Sequence, residues 1–133
     1  MRKSECLKCL FFILLISSLF ACAGVPDKTG AEDAFDTGLS LFNRGQFEEA
    51  AAYFRKAVEL EPEYGRAYLY LGRSYLNLGR LREAIPPFRT AFRLEPEETK
   101  KEIADIIFDF LLQNSETIDR DTQFEILDYF TIE

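Results

Sequence analysis

Two consecutive segments decide the fold of this chain: AEDAFDTGLSLFNRGQFEEAAAYFRKAVELEPEY (residues 31–64) and GRAYLYLGRSYLNLGRLREAIPPFRTAFRLEPEE (residues 65–98). Aligned without gaps, the two segments are identical at 13 of 34 positions, whereas chance gives about two. Glycine marks the middle of each segment and proline its end, and apolar residues recur between them at helical spacing. Each segment therefore predicts a helical hairpin, and the pair is an internal repeat.

The residue types at the matching positions resemble the tetratricopeptide repeat (TPR) family, whose units have the same length. The matching positions hold Gly72, Tyr75, Gly79, Ala84, Phe88, Ala91 and Pro96 in the second segment, and Gly38, Leu41, Gly45, Ala50, Phe54, Ala57 and Pro62 in the first. The first segment departs from the family pattern at Ala34 and Thr37, where large residues are usual. The resemblance implies an all-α fold, an α-solenoid of two TPR helical hairpins.

The glycine and proline positions also predict where the helices begin and end. We expect helices over about 31–44, 47–60, 63–78 and 81–94. Thr29 and Glu32 have the spacing of a capping box for the first helix. Gly45 and Gly79 end the first helix of each hairpin, at positions where a positive φ suits only glycine.

The prolines make separate predictions. Pro62 and Pro96 are expected in the first turn of the helix that follows each of them, where the missing N–H has no cost. Pro86 and Pro87 fall early in the fourth helix. Because Pro87 has no N–H to donate to residue 83, we expect a kink or a late start there.

Beyond Pro96 the repeat pattern ends and residues 97–113 predict one more amphipathic helix. Its apolar residues are Ile103, Ile106, Ile107, Phe110 and Leu111, widened by Phe108 and Leu112. We expect C-terminal capping helices here, the last one capped by Asp121, because an exposed solenoid end is costly. Two alternatives remain open: the helix at 97–113 forms a dimer interface, or it lies in the concave groove of the repeats.

The first 22 residues have the features of a bacterial export signal. Its basic start consists of Arg2, Lys3 and Lys8. The apolar run that follows has roughly a dozen residues, short of the ~20 that a spanning helix needs. It ends in LFAC (residues 19–22), which resembles a lipobox with Cys22 as the acylated residue, although Phe20 departs from the usual pattern. An uncleaved anchor and an ordinary signal peptide are the alternatives.

The resemblance to a lipobox implies a lipoprotein of the bacterial envelope that carries covalent lipid, such as palmitate, on Cys22 and needs no other cofactor. In two-membrane bacteria an Asp after the acylated Cys favours retention in the inner membrane. Because Ala23 stands there instead, we expect an outer-membrane lipoprotein that faces the periplasm. The predicted organisation is a signal peptide at 1–21, a tether at 22–30, TPR units at 31–64 and 65–98, and a helical cap at 99–133.

Composition narrows the class of function. The formal charge is −7, and residues 22–133 hold 13 basic and 22 acidic residues, so nucleic acid is not an expected partner. The hydrophobic content of 47% excludes a disordered chain. The sequence has no His, and all three Cys lie in the first 22 residues. Without the usual bases and nucleophiles we predict no enzyme, and no loop has the ligand spacing of a metal site.

The family resemblance also implies where a partner binds, since the first helices of TPR units line a concave face. Carried over position by position, the contact residues are Phe35, Leu39, Phe42 and Asn43 in the first unit, and Arg66, Leu69, Arg73, Leu76 and Asn77 in the second. Phe35 and Leu39 stand where chaperone-binding members need a polar clamp, so that function is rejected. We expect an apolar groove bordered by Arg66 and Arg73 that suits an amphipathic or extended segment. The alternative is that Phe35, Leu39 and Leu69 are core under the C-terminal helix.

Together these patterns predict a membrane-anchored TPR lipoprotein that acts as a protein–protein interaction adaptor or scaffold in envelope assembly. Its partner would be an envelope protein or a peptide segment of one. The alternative is a self-associating structural lipoprotein, a homodimer, with the groove filled by its own C-terminal helix.

Overall fold

The structure, a computed structural model, describes residues 27–116 and 118–131. Its helices are α1 (Lys28–Asn43), α2 (Phe47–Leu60), α3 (Gly65–Asn77), α4 (Leu81–Leu94), α5 (Pro96–Gln113) and α6 (Arg120–Thr131). These residues include no strand, so the predicted all-α fold is confirmed. The predicted signal peptide, the Cys22 acylation site and most of the tether fall on residues 1–26, outside the described residues.

Two hairpins stack to form the predicted solenoid. Helix α1 packs against α2, α3 packs against α4, and α2 contacts α3 across the junction between the hairpins. The described helices include none that is both long enough and apolar enough to cross a membrane.

Close packing inside each hairpin depends on a glycine placed against an aromatic ring. A Cβ atom at Gly38 would lie 2.9 Å from the ring of Phe54, and one at Gly72 would lie 2.7 Å from the ring of Phe88. Both rings are fully buried. The matching Gly and Phe of the repeat therefore form one packing unit, repeated in each hairpin, in which the glycine leaves the space that the ring fills.

The turns inside the hairpins follow the predicted glycine positions. Gly45 and Gly79 have φ angles of 78° and 73°, and no other described residue has a positive φ. An L residue is disfavoured in this left-handed region, so a glycine after the helix lets the chain reverse at little cost. The predicted ends of α1 and α3 are confirmed to within a residue or two.

The predicted caps of two helices were wrong, each by two residues. Asp27 caps α1, because its Oδ1 accepts a hydrogen bond from the Gly30 N–H at 3.1 Å, and Thr29 lies inside the first turn. Asp119 precedes α6, and its carboxylate accepts hydrogen bonds from the N–H and hydroxyl of Thr122, at 2.8 and 2.6 Å. Asp121, the predicted cap, lies in the first turn of α6. In both places several residues of capping type stand close together, and sequence alone does not choose among them.

The prolines behave differently from one another. Pro96 is the first residue of α5, as predicted, but Pro62 lies in the turn that precedes α3 rather than within that helix. Helix α4 starts at Leu81 and continues through Pro86 and Pro87. Of the two predicted effects of Pro87, the late start is therefore wrong, and the kink stays a prediction. The carbonyls that lose their N–H partners belong to residues 82 and 83, which are exposed, so water can bind them in place of a helical N–H.

Helix α5 covers the end of the second hairpin. It packs against α3 and α4, burying Ile103 and Ile107, which are 2% and 5% exposed. Ile106, Phe110 and Leu111 are partly buried against the same core. The prediction of a capping helix is therefore confirmed for α5, and Ile126 adds one buried side chain from α6.

Candidate interaction trough

The first helices of the successive hairpins, α1 and α3, lie side by side and are followed by α5. We call the surface along these three helices the trough. Side chains of α3 contact both of its neighbours in the trough. Arg66 lies over a ring of α1, and Arg73 contacts both a ring of α1 and a carboxylate of α5.

An aromatic cluster underlies the trough on the side of the first hairpin. Its members are Phe35 and Phe42 of α1, Phe54 of α2, Tyr64 immediately before α3, and Tyr70 within α3. Tyr70 is the member that joins the hairpins, since its ring centroid lies 5.5 Å from that of Phe35 and 5.6 Å from that of Phe42. Both contacts are edge-to-face, the arrangement that aromatic quadrupoles favour.

Two guanidinium groups lie over this cluster. Arg66 lies 5.3 Å from the centroid of Phe35. Arg73 lies 5.4 Å from the centroid of Phe42 and 4.9 Å from that of Tyr70. Cation–π attraction of this kind contributes about 0.5–1 kcal/mol at exposed sites. The arginines are therefore held over the aromatic rings, each with part of its cation still open to solvent.

The trough carries charges of both signs. Arg73 Nη1 contacts Oε1 of Glu102 on α5 at 3.2 Å, whereas Arg66 forms no ion pair among the described residues. Burial raises the pKa of the Tyr64 phenol; the positive charge of Arg66 opposes this rise, and the carboxylates of Glu32 and Asp36 add to it. These effects indicate that Arg66 and two carboxylates of α1 share the electrostatic environment around Tyr64.

The nine predicted contact residues differ in how much of each a partner can reach. Phe35, Leu69 and Leu76 are buried, Leu39, Phe42 and Arg73 are half-buried, and Asn43, Arg66 and Asn77 are exposed. Phe35 packs on the rings of Phe54, Tyr64 and Tyr70, under the guanidinium of Arg66. The trough surface is consequently more polar than the predicted apolar groove, with two arginines lying over its aromatic floor rather than only along its border.

A cleft of about 560 Å³ lies between α3 and α5. Helix α3 supplies Arg73, Leu76 and Asn77 to its walls, and α5 supplies Ile106, Asp109 and Phe110. The residues of α5 were not among the predicted contact positions. The width of the apolar stripe on α5 was the available signal, since a stripe wider than one neighbour needs has residues left to face a cleft.

The described residues include no group of three or more His, Cys, Asp or Glu that could hold a metal ion. What the trough offers a ligand is hydrogen-bonding amides, two cations held over rings and a few apolar side chains. These groups are suited to binding a polypeptide segment.

Comparison with protein families agrees with this geometry. Residues 35–98 match the family model described as tetratricopeptide repeat. Residues 35–98 therefore belong to the tetratricopeptide repeat family, and repeats of this family indicate a role as a protein–protein interaction adaptor. Comparison with curated proteins finds no relative that matches the chain.

Proposed function

We propose that this protein is a membrane-anchored lipoprotein whose trough binds a segment of a partner protein during assembly of the bacterial envelope. The proposed activity is binding, without catalysis. The observation that carries it is the pair of guanidinium groups held over aromatic rings in an accessible trough.

The chemistry of the trough favours a particular kind of segment. Arg66 is free to meet a carboxylate, because its described contact is with a ring and not with an acid. The amide of Asn43 is exposed and can bind a backbone group of an extended chain. Leu39 and Phe42 keep apolar surface open beside it. We infer a segment that alternates apolar anchors with at least one acidic residue.

Photo-crosslinking in the native host tests this proposal. Asn43→benzoylphenylalanine in the trough should capture a discrete partner, and adding Arg66→Glu should remove most of that product. The matched controls are a crosslinker at Arg82, an exposed residue of α4 outside the trough, and the substitution Arg82→Glu. If Arg66→Glu and Arg82→Glu leave the Asn43 product equally strong, the trough is not the binding surface.

The membrane anchor is a separate part of the proposal and rests on the sequence of the leader. Cys22→Ser should abolish metabolic labelling with a palmitate analogue and release the protein from the membrane fraction, since stable anchoring without a spanning helix requires more than one acyl chain or an equivalent second signal. Cys6→Ser and Cys9→Ser are matched controls within the leader and should leave labelling unchanged. Membrane retention of Cys22→Ser without label would indicate an uncleaved anchor instead.

A further inference from the structure

Helix α5 has a second exposed surface on the side opposite its buried isoleucines. Ala104, Phe108 and Leu112 are spaced four residues apart, which places them on one face of the helix. We call this face the outer stripe. Phe108 is 61% exposed and Leu112 is 60% exposed, while Ile103 and Ile107 on the packed side are buried. Two large apolar side chains, one turn apart and both largely exposed, place an apolar strip on this face of α5, and exposed apolar surface that is rimmed by polar residues occurs at interaction sites.

One flank of the outer stripe is acidic. Asp105 lies three residues before Phe108, and Asp109 lies three residues before Leu112, so each apolar side chain has a carboxylate beside it on the same flank. Both aspartates are exposed. Neither forms an ion pair with another described residue, in contrast to Glu102, which pairs with Arg73.

We propose that the outer stripe is a docking surface for an amphipathic helix of a partner protein that carries lysine or arginine along one edge. Apolar residues of that helix would cover Phe108 and Leu112, with a small residue at Ala104 allowing close approach of the two backbones. Its basic edge would face Asp105 and Asp109. The inference does not depend on partner binding at Arg66 or on the lipid anchor, although Asp109 also lines the cleft between α3 and α5.

The same acidic flank makes a second copy of this chain a poorer occupant. In an antiparallel pair related by a two-fold axis, the same flank of each helix meets its counterpart. Asp105 and Asp109 of one copy would then lie beside those of the other, and like charges across an interface are unfavourable.

Crosslinking with a defined probe tests the docking surface. The full chain in nanodiscs of neutral phosphatidylcholine, carrying Phe108→benzoylphenylalanine, is irradiated with a synthetic 18-residue amphipathic helix made of leucine and lysine. A peptide with glutamate in place of every lysine serves as the comparison. We expect the lysine peptide to crosslink roughly five- to tenfold more than the glutamate peptide, as two partly exposed charge pairs would give.

Charge variants then show which carboxylates cause the preference for the lysine peptide over the glutamate peptide. Asp105→Asn combined with Asp109→Asn should remove most of it, while Glu49→Asn combined with Glu59→Asn, two exposed acids of α2, should leave it intact. A crosslinker at Phe92 of α4 should show no such preference. Equal yields with the two peptides, or no product with either, would overturn the proposal. Covalent dimers of the chain itself would instead identify a second copy as the occupant.

Discussion

Gly72 is packed so closely against a buried ring that adding a side chain at this position tests the packing of the hairpin. A Cβ atom there would lie 2.7 Å from Phe88, whose ring cannot retreat because it is 1% exposed. Gly72→Val should therefore lower the free energy of unfolding by about 1–3 kcal/mol, the usual cost of overpacking. Urea denaturation followed by circular dichroism measures the change.

The same side chain placed on the exposed face of α1 is the control for this prediction. Thr37→Val should change stability by less than about 0.5 kcal/mol, because Thr37 is exposed. Equal losses for Gly72→Val and Thr37→Val would mean that the contact between Gly72 and Phe88 does not limit the packing of α3 on α4.

Gly79 is constrained by its backbone rather than by space. Its φ is 73°, and an added Cβ atom would meet nothing within 4 Å. Gly79→Ala should thus destabilise the protein by about 1 kcal/mol through conformation alone. Gly79→Asn should cost less, because asparagine tolerates the left-handed region better. Thermal unfolding of the two variants distinguishes these effects, and an alanine variant as stable as the native chain would contradict the assignment.

At the scale of single helices, the capping of α6 predicts a measurable titration. The hydroxyl of Thr122, and then its backbone N–H, donate to the carboxylate of Asp119 and lower its pKa. A lowered folded-state pKa means that this stabilisation is present above the unfolded pKa and is lost as the pH falls through the folded one, below about pH 4. Thr122→Val should raise the Asp119 pKa toward its ordinary value in a carboxyl-detected NMR titration.

Thr37→Val is again the matched control, since Thr37 also bonds locally within its own helix. It should leave the titration of Asp119 unchanged. The same Asp119 pKa in the native chain and in Thr122→Val would show that the Thr122 hydroxyl does not donate to the Asp119 carboxylate.

Helix positions were predictable from this sequence because glycine and the 34-residue period restrict where the chain can turn. The positive φ of Gly45 and Gly79 fixes the hairpin turns in both units. Helix starts were harder, since Asp27 and Thr29 can both cap a helix and only the folded backbone shows which carboxylate or hydroxyl reaches an amide. Helix α4 accommodates two prolines because the carbonyls of residues 82 and 83 are accessible to water. The spacing of apolar residues in the sequence does not show this access.

The sequence predicted where the trough lies, but it did not predict which of the trough residues are buried and which are exposed. The family resemblance placed Phe35, Arg66 and Arg73 on the concave helices, and the structure brings them together. The resemblance did not indicate that Phe35 would be buried beneath Arg66. The spacing of residues within one helix does not show which side chains of the next helix pack over it. Tyr70 was missed for the same reason, since its role is to contact rings of the preceding unit.

At the scale of the whole molecule, Tyr70 couples the two hairpins. Its ring belongs to α3 but packs on Phe35, Phe42 and Phe54 of the first hairpin. In a stacked-repeat protein, cooperativity comes from such contacts between neighbours. The native chain should therefore unfold as one unit, with residues 31–64 and 65–98 losing hydrogen-exchange protection at the same urea concentration.

Removing the ring should separate the two hairpins. In Tyr70→Ala the first hairpin loses part of its only stacking neighbour among the described helices, while the second keeps α5 on its other side. Residues 31–64 should then lose protection at a lower urea concentration than residues 65–98, as measured by hydrogen exchange with mass spectrometry. Tyr70→Phe keeps the ring and should retain a single transition. If both segments of Tyr70→Ala still unfold together, the coupling lies in the packing of α2 on α3 rather than in the aromatic cluster.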